Sequence, residues 1–205
     1  MYIVNEILRD DNSNEVLVVC GNQRFKITAF DFEQLNIQEG DCISQTEFDI
    51  LVNAVERLSC IKKAFDFLSY GDLSEKQLRD KLCRKFSKEL SADVANLFVE
   101  RGYVDDLRLA KRYAETFYVF KNMGLNRIKN ELFRRGISKE NIEDALSEYE
   151  NEDQYDRIEQ FIRKKYDISK MNDIKYRQKV YAGSLRAGFN GSDVGEVIRN
   201  FESEN

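Results

Sequence analysis

The stretch of residues 103–137 decides the fold of this chain, and it reads YVDDLRLAKRYAETFYVFKNMGLNRIKNELFRRGI. Either Asp105 or Asp106 is a suitable N-cap, because a carboxylate accepts the free N–H groups of a first helical turn. Apolar residues then recur every four positions, which predicts one face of a helix that runs to Phe120. The apolar residues of this face are Leu109, Tyr113 and Phe117.

Glycine residues divide the rest of this stretch into two further helices. Gly124 is predicted to end the first helix, and a second apolar stripe follows it at Leu125, Ile128 and Leu132. Gly136 stands where a residue just past a helix end adopts a left-handed conformation. Ser138 then caps a third helix, whose inner residues are Ile142, Ala145 and Leu146. Three short amphipathic helices therefore form one unit.

The same pattern occurs before and after this unit. Residues 74–77 form a capping box, in which Ser74 and Gln77 satisfy each other's backbone N–H groups. At an offset of 50 residues, Leu78, Leu82 and Phe86 match Ile128, Leu132 and Gly136. At an offset of 52, Val180, Ser184, Leu185, Gly188 and Phe189 match Ile128, Leu132, Phe133, Gly136 and Ile137, and Asn190 matches Ser138. Stacked helical units of this kind bury a core only against their neighbours, so we predict three tandem three-helix repeats in an elongated array.

A small β module is predicted ahead of the helices. Residues 16–19 are rich in β-branched residues, Gly21 and Asn22 make a hairpin turn, and apolar residues alternate from Phe25 to Ala29. Thr46 is a suitable cap for a long helix that ends near residue 70. We therefore expect a mainly α fold of four segments: a β module at 1–45, a linking helix with the first repeat at 46–104, a second repeat at 105–150 and a third at 151–205.

Composition excludes several kinds of chemistry. The chain has 205 residues and no histidine, which removes the usual general base and the commonest metal ligand. Its four cysteines are scattered without a C-x-x-C pair, so the spacing of a zinc site is missing. From both observations we expect no metal, no cofactor and no catalysis. Two disulfides remain possible from sequence, although scattered thiols without a signal peptide suit a reducing cytoplasm. No apolar run reaches the roughly 20 residues that span a bilayer, so we expect a soluble protein without membrane contact. We also expect it to be cytoplasmic and monomeric.

The distribution of charge points to an interaction surface. Residues 1–55 hold three basic and ten acidic residues, a net charge of −7, whereas the whole chain carries −5. Basic residues concentrate in the predicted second helix of each repeat: six against one acidic at 76–88, five against one at 121–135, and seven against two at 163–179. A solvated face explains most such runs, but recurrence at the repeat period favours a surface that binds phosphate or carboxylate groups.

Arginines at equivalent places define the predicted surface. Arg84 and Arg134 each point roughly 200° away from the buried Leu82 and Leu132 on an ideal helix, and Arg186 is their equivalent in the third repeat. The candidate interaction residues are Arg79, Arg84, Lys85, Lys121, Arg127, Lys129, Arg134, Arg135, Lys179 and Arg186. The acidic pair at 105–106 is a weaker candidate for chemistry, since capping of a helix accounts for it.

The central motif resembles the RecX family of bacterial recombination regulators. It comprises Gly102-Tyr103-Val104-Asp105-Asp106, Ala110, Lys121-x-x-Gly124-x-x-Arg127-Ile128-x-x-Glu131-Leu132 and Arg135-Gly136-Ile137. The resemblance covers about residues 56–201 and implies tandem three-helix repeats that bind the RecA filament on single-stranded DNA in its helical groove. It also implies restraint of RecA ATPase and strand exchange, with stimulation left open. Residues 70–72 depart from the family, which usually has basic residues there. The alternative is a protein that binds DNA directly through the same basic helices, without RecA.

Overall fold

The computed structural model describes residues 1–9, 13–150 and 153–203, and for residues 202 and 203 it describes the backbone alone. The chain divides into two compact units. Unit 1 consists of Met1–Asp72 with Leu78–Arg101, and unit 2 consists of Leu73–Gln77 with Gly102–Asn205. The predicted start of the third repeat at residue 151 lies outside the described residues, and the four segment boundaries stay a prediction.

Unit 1 begins with an antiparallel sheet, which confirms the predicted β module. Its strands are β1 (Tyr2–Arg9), β2 (Glu15–Cys20), β3 (Gln23–Thr28) and β4 (Cys42–Ile43), in the order β3-β2-β1-β4. Gly21 adopts a φ of +58° in the turn between β2 and β3, as a two-residue hairpin loop requires. The predicted strand alternation at Ala29 is wrong. This residue begins helix α1 (Ala29–Leu35), because the hydroxyl of Thr28 caps that helix.

A long helix, α2 (Gln45–Ser69), connects the sheet to the first repeat. Its N-cap is Ser44 rather than the predicted Thr46, because Ser44 and Glu47 form a complete capping box. Leu51 and Ala54 join the buried core of the sheet. Further along, Phe65 packs against Phe98 with ring centroids 4.7 Å apart.

The helices form three successive three-helix repeats, as predicted. After α2, the first repeat continues with α3 (Glu75–Leu82) and α4 (Lys88–Glu100). The second contains α5 (Asp106–Glu115) with a π-helical turn (Thr116–Phe120), α6 (Leu125–Arg134) and α7 (Lys139–Glu150). The third contains α8 (Tyr155–Lys165), a 3₁₀ turn (Ile168–Lys170), α9 (Ile174–Arg186) and α10 (Gly191–Ser203). One expectation is wrong: the basic run 163–179 is not one helix, since it spans the end of α8, the 3₁₀ turn and the start of α9.

The apolar stripes of the second helices face the cores of their repeats. Ile128 and Leu132 are fully buried in α6, and Val180 and Ser184 are fully buried in α9. The Ser184 hydroxyl donates to the carbonyl of Val180 at 3.0 Å, which allows a polar side chain inside this core. The offset of 52 residues predicted these equivalent places correctly.

The two glycines of the central stretch have different roles. Gly136 adopts a φ of +83°, and its N–H and that of Ile137 bond back to the carbonyls of Phe133 and Leu132. This arrangement is a Schellman motif, as the C′ position predicted. Gly124 has a φ of −71°, which any residue adopts. The left-handed residue that turns the chain before α6 is Asn122, with a φ of 45°.

The described residues also give findings on membrane spans, metal ligands and disulfides. No helix there is long and apolar enough to cross a membrane. No group of three or more His, Cys, Asp or Glu side chains there could hold a metal ion. All four cysteines are free; Cys20 and Cys60 are buried, and Cys42 and Cys83 are exposed.

Candidate interaction surface on the second helices

A backbone joint connects the second helices of the second and third repeats. The Gly124 N–H donates to the carbonyl of Ala187 at 2.9 Å, and the Asn126 N–H donates to the carbonyl of Gly188 at 3.1 Å. A Cβ atom on Gly124 would lie 2.1 Å from the carbonyl carbon of Gly188, so neither glycine has room for a side chain. The end of α9 therefore lies directly against the start of α6.

An equivalent joint connects α6 to the start of α3, within unit 2. The Ser74 hydroxyl donates to the carbonyl of Arg135. A Cβ atom on Gly136 would lie 2.4 Å from Cδ of Lys76. Ser74 precedes Gly124 by 50 residues and Arg135 precedes Ala187 by 52, so the same pair of repeat positions meets at both joints. Ser74 also forms the predicted capping box, since its N–H donates to Gln77 and its hydroxyl accepts from the Gln77 N–H.

Each joint brings a basic residue of one second helix close to the backbone at the end of another. Arg127 lies against Gly188, which follows Arg186 by two residues. Lys76 lies against Gly136, which follows Arg134 by two residues. The sequence placed Lys76 in a basic run but not among the candidate residues, because only the structure shows that it lies against Gly136. Each joint of unit 2 therefore joins the start of one basic helix to the end of another.

Most candidate residues are exposed. Arg84, Lys85, Lys121, Arg127, Arg134, Lys179 and Arg186 are exposed, and Arg79, Lys129 and Arg135 are half-buried. Arg134 lies 3.7 Å from Glu131 while 76% of its side chain is accessible, and Lys129 pairs with Glu150 at 2.6 Å. Such exposed pairs contribute little to stability. These side chains are therefore available to a partner that competes for them.

Arg84 and Lys85 do not lie on a helix. Helix α3 ends at Leu82, and both residues occupy the turn before α4 in unit 1. The ideal-helix direction predicted for Arg84 is therefore wrong, although the residue is exposed. Arg134 and Arg186 are the last residues of α6 and α9, as their equivalence predicted.

Arg135 has a packing role that the sequence did not indicate. Its guanidinium lies 4.5 Å from the ring centroid of Tyr113 and 5.7 Å from that of Phe117. The Nε atom is buried without a hydrogen-bond partner among the described residues. Lys121 lies 4.9 Å from the Phe117 ring. Arg135 therefore stabilises the second repeat through contact with aromatic rings, and its outward neighbour Arg134 is the better ligand-binding candidate.

The acidic pair caps two different helices. The Asp105 carboxylate accepts from the N–H of Arg108 at 2.9 Å and caps α5. The Asp106 carboxylate accepts from the N–H of Glu75 at 2.9 Å, at the start of α3. Burial raises the pKa of Asp106, with Glu75 and Asp105 adding smaller repulsion, although the bond from the Glu75 N–H acts in the opposite direction. Within unit 2, Asp106 thus joins the start of α5 to the start of α3.

A further cross-repeat contact was not visible in the sequence. The Arg157 guanidinium of α8 donates to the carbonyls of Tyr118 and Met123 at 2.8 and 3.2 Å, and it stacks 3.4 Å from the Tyr118 ring centroid. It therefore satisfies carbonyl groups that the end of the π-helical turn leaves unpaired. No local pattern identifies this role, because its partners lie more than 30 residues upstream.

Comparisons with known proteins agree on one family. Residues 105–146 match the family model described as RecX, second three-helix domain. A regulatory protein RecX from Caldanaerobacter subterraneus subsp. tengcongensis is 35% identical over 170 residues, which cover 80% of this chain and 84% of that protein. Another from Clostridioides difficile is 25% identical over 97% of this chain and 94% of its own length.

Solved structures share the fold. A crystal structure of a regulatory protein RecX superimposes with a TM-score of 0.81 at 20% identity, covering 98% of this chain and all of that one. RecX from Lactobacillus salivarius gives a TM-score of 0.62 at 21% identity, over 71% of this chain and 96% of that one.

Proposed function

This chain belongs to the RecX family of regulatory proteins, and we propose that it binds the RecA nucleoprotein filament on single-stranded DNA and inhibits its ATPase and strand exchange. The protein itself catalyses no reaction and uses no cofactor. It acts as a cytoplasmic monomer in the regulation of DNA recombination, DNA repair and the SOS response. The three tandem repeats present the interaction surface, and the β module precedes them.

The two cationic joints of unit 2 are the observation that carries the proposal. At each joint, a basic residue at the start of one second helix lies against a glycine that follows, by two residues, the arginine that ends the next. Guanidinium groups bind carboxylate and phosphate oxygens through paired hydrogen bonds. A nucleoprotein filament offers both kinds of oxygen in a helical repeat. Cations that recur along tandem helices match a partner whose anions also recur.

The ATPase of RecA on single-stranded DNA tests the proposal. Substoichiometric amounts of the purified protein are expected to lower the steady-state rate of ATP hydrolysis, because a bound regulator opposes filament growth. The protein alone is expected to hydrolyse no ATP. An unchanged RecA rate at saturating protein would overturn the proposed function. A raised rate would support RecA as the partner but show stimulation instead of inhibition.

Direct DNA binding without RecA is the second candidate, and the exposure of Arg127, Arg134 and Arg186 favours it. A protein of this kind holds naked DNA tightly, and the logarithm of its affinity falls linearly with the logarithm of salt concentration. We expect only weak binding of naked DNA at physiological salt, because residues 1–55 carry a net charge of −7. Titration of labelled single-stranded DNA at several salt concentrations, with and without RecA, separates the two functions.

A further inference from the structure

The second helices of unit 2 expose an apolar residue beside the arginine that ends each helix. Phe133 precedes Arg134 at the end of α6 and is 69% exposed. Leu185 precedes Arg186 at the end of α9 and is 40% exposed. The two apolar residues occupy equivalent repeat positions, 52 residues apart. An exposed apolar side chain is common when it occurs singly, but here the same feature recurs at both helix ends.

Helices α6 and α9 carry no exposed acidic side chain of their own, and the exposed Glu150 of α7 pairs with Lys129 of α6. The exposed residues of α6 are Asn126, Arg127, Asn130, Phe133 and Arg134. Those of α9 are Ile174, Lys175, Gln178, Lys179, Tyr181, Leu185 and Arg186. The one acidic residue of the two helices, Glu131, is half-buried and lies 3.7 Å from Arg134. We name these two exposed sets together the α6–α9 face.

The joint between the second and third repeats makes this face continuous. The end of α9 lies against the start of α6 through Gly188 and Arg127. Leu185 lies over the start of α10, since a Cβ atom on Gly191 would be 3.6 Å from its Cδ2 atom, and the Tyr181 hydroxyl approaches the same glycine. Tyr181 and Leu185 therefore lie together over the start of α10, and Gly188, three residues after Leu185, lies against Arg127 of α6.

We propose that the α6–α9 face docks on protein, on a surface that offers apolar pockets bordered by carboxylates, with Phe133 and Leu185 as the side chains that enter the pockets. The proposal rests on the proposed function and assigns these two positions to the protein of the filament rather than to its DNA. Aromatic and arginine residues are enriched at the centres of protein–protein interfaces. The absence of exposed acidic groups on this face complements a partner rich in carboxylates.

Nucleic acid fits the same two positions less well. Bases stack on aromatic rings and on guanidinium planes, and Phe133 could serve that purpose. Leu185 has no ring, so the property that the two positions share is apolar character rather than an aromatic face. A phosphate backbone gains nothing from a leucine or phenylalanine next to each arginine. A protein pocket gains from both the apolar and the cationic member of each pair.

The test compares three full-length variants in the RecA ATPase assay, two of them double and one single. The first carries Phe133→Ser with Leu185→Ser, and the second carries Arg134→Gln with Arg186→Gln. The control is Val119→Ser, which changes an apolar residue of the π-helical turn, outside the α6–α9 face, that is 59% exposed. Circular dichroism and thermal melting establish that each variant is folded, which we expect because all five positions are exposed.

The apolar double variant is expected to need at least about tenfold more protein for half-inhibition, as loss of an apolar anchor predicts. Its deficit is expected to persist at raised salt, and Val119→Ser is expected to act like the parent. Full potency of the folded apolar variant, with potency lost in the arginine variant, would show that the face binds phosphate and would overturn the inference alone. A parent protein without effect on RecA removes the proposed function and this inference together.

Discussion

Gly124 and Gly188 meet backbone to backbone at the joint between the second and third repeats. The ideal Cβ position on Gly124 lies 2.1 Å from the carbonyl carbon of Gly188, although the φ of Gly124 is acceptable for any residue. Gly124 is therefore required by a contact with a residue 64 positions away. The joint orients α9 against α6, so the geometry of the α6–α9 face depends on this glycine.

Gly124→Ala is expected to destabilise the protein by about 1–3 kcal/mol, the usual cost of an overpacked contact. The matched control is Gly195→Ala in α10, where a Cβ atom meets nothing within 4 Å. Alanine there is expected to raise the stability by about 0.5–1 kcal/mol, because glycine weakens a helix interior. Urea unfolding of both variants measures the difference. Equal midpoints for the two variants would contradict the described joint.

Leu132→Ala and Arg134→Ala are expected to differ strongly in stability. Leu132 is fully buried, so its truncation is expected to cost about 2–5 kcal/mol. Arg134 has 76% of its side chain exposed, and surface changes usually stay within about 0.5 kcal/mol. Chemical denaturation of the two variants provides the measurement. Similar losses would show that α6 has a different rotational register.

Asp106→Asn is expected to change the pH dependence of stability. Because burial raises the pKa of Asp106 above its ordinary value of 3.8, the folded state binds this proton more tightly than the unfolded chain does. The favourable contribution of the protonated group is complete below pH 3.8 and is lost as the pH rises through the higher folded pKa. Asparagine retains an oxygen that accepts from the Glu75 N–H but does not ionise.

The stability of Asp106→Asn relative to the parent is therefore expected to increase as the pH rises from about 3.8 through the folded pKa of Asp106. Asp106→Ala serves as the control, because it removes the cap and is expected to cost about 1 kcal/mol. Unfolding curves at several pH values test both variants. If the difference in unfolding free energy between the parent and Asp106→Asn does not vary with pH, the pKa of Asp106 is not raised.

The combined change of Arg84, Arg134 and Arg186 to glutamate is expected to abolish action on RecA without unfolding the protein. Each lost arginine contact is worth about 1–3 kcal/mol, and about 1.4 kcal/mol corresponds to tenfold in affinity. Loss of all three contacts is therefore expected to weaken binding by several orders of magnitude, which the RecA ATPase assay detects as lost inhibition. The alternative explanation, that these side chains only increase solubility, predicts unchanged inhibition.

A charge-matched control uses Arg108, Lys111 and Lys164, which are exposed residues of first helices. Their replacement by glutamate changes the net charge equally but leaves the second helices intact. We expect this variant to retain inhibition, apart from a modest dependence on ionic strength. Equal loss of inhibition in both triple variants would mean that net charge, rather than the arginine positions, controls the interaction.

Local features of this fold were predictable because their physical causes lie within a few residues. The capping box of Ser74 and Gln77, the left-handed Gly136 and the buried stripe of Ile128 and Leu132 all follow from short-range rules. Even the misplaced cap of α2 was a local matter, since Ser44 and Glu47 have the spacing of a capping box that Thr46 lacks.

The sequence by itself determined the helical repeats, their caps and the recurrence of basic second helices, since hydrogen bonds and apolar periodicity within one turn specify them. Only the tertiary structure decided which groups meet across repeats: Gly124 with Gly188, Asp106 with the Glu75 N–H, and Arg157 with the carbonyls of Tyr118 and Met123. These contacts join residues more than 30 positions apart. Their partners are set by how whole helices pack, and no spacing rule along the chain encodes that geometry.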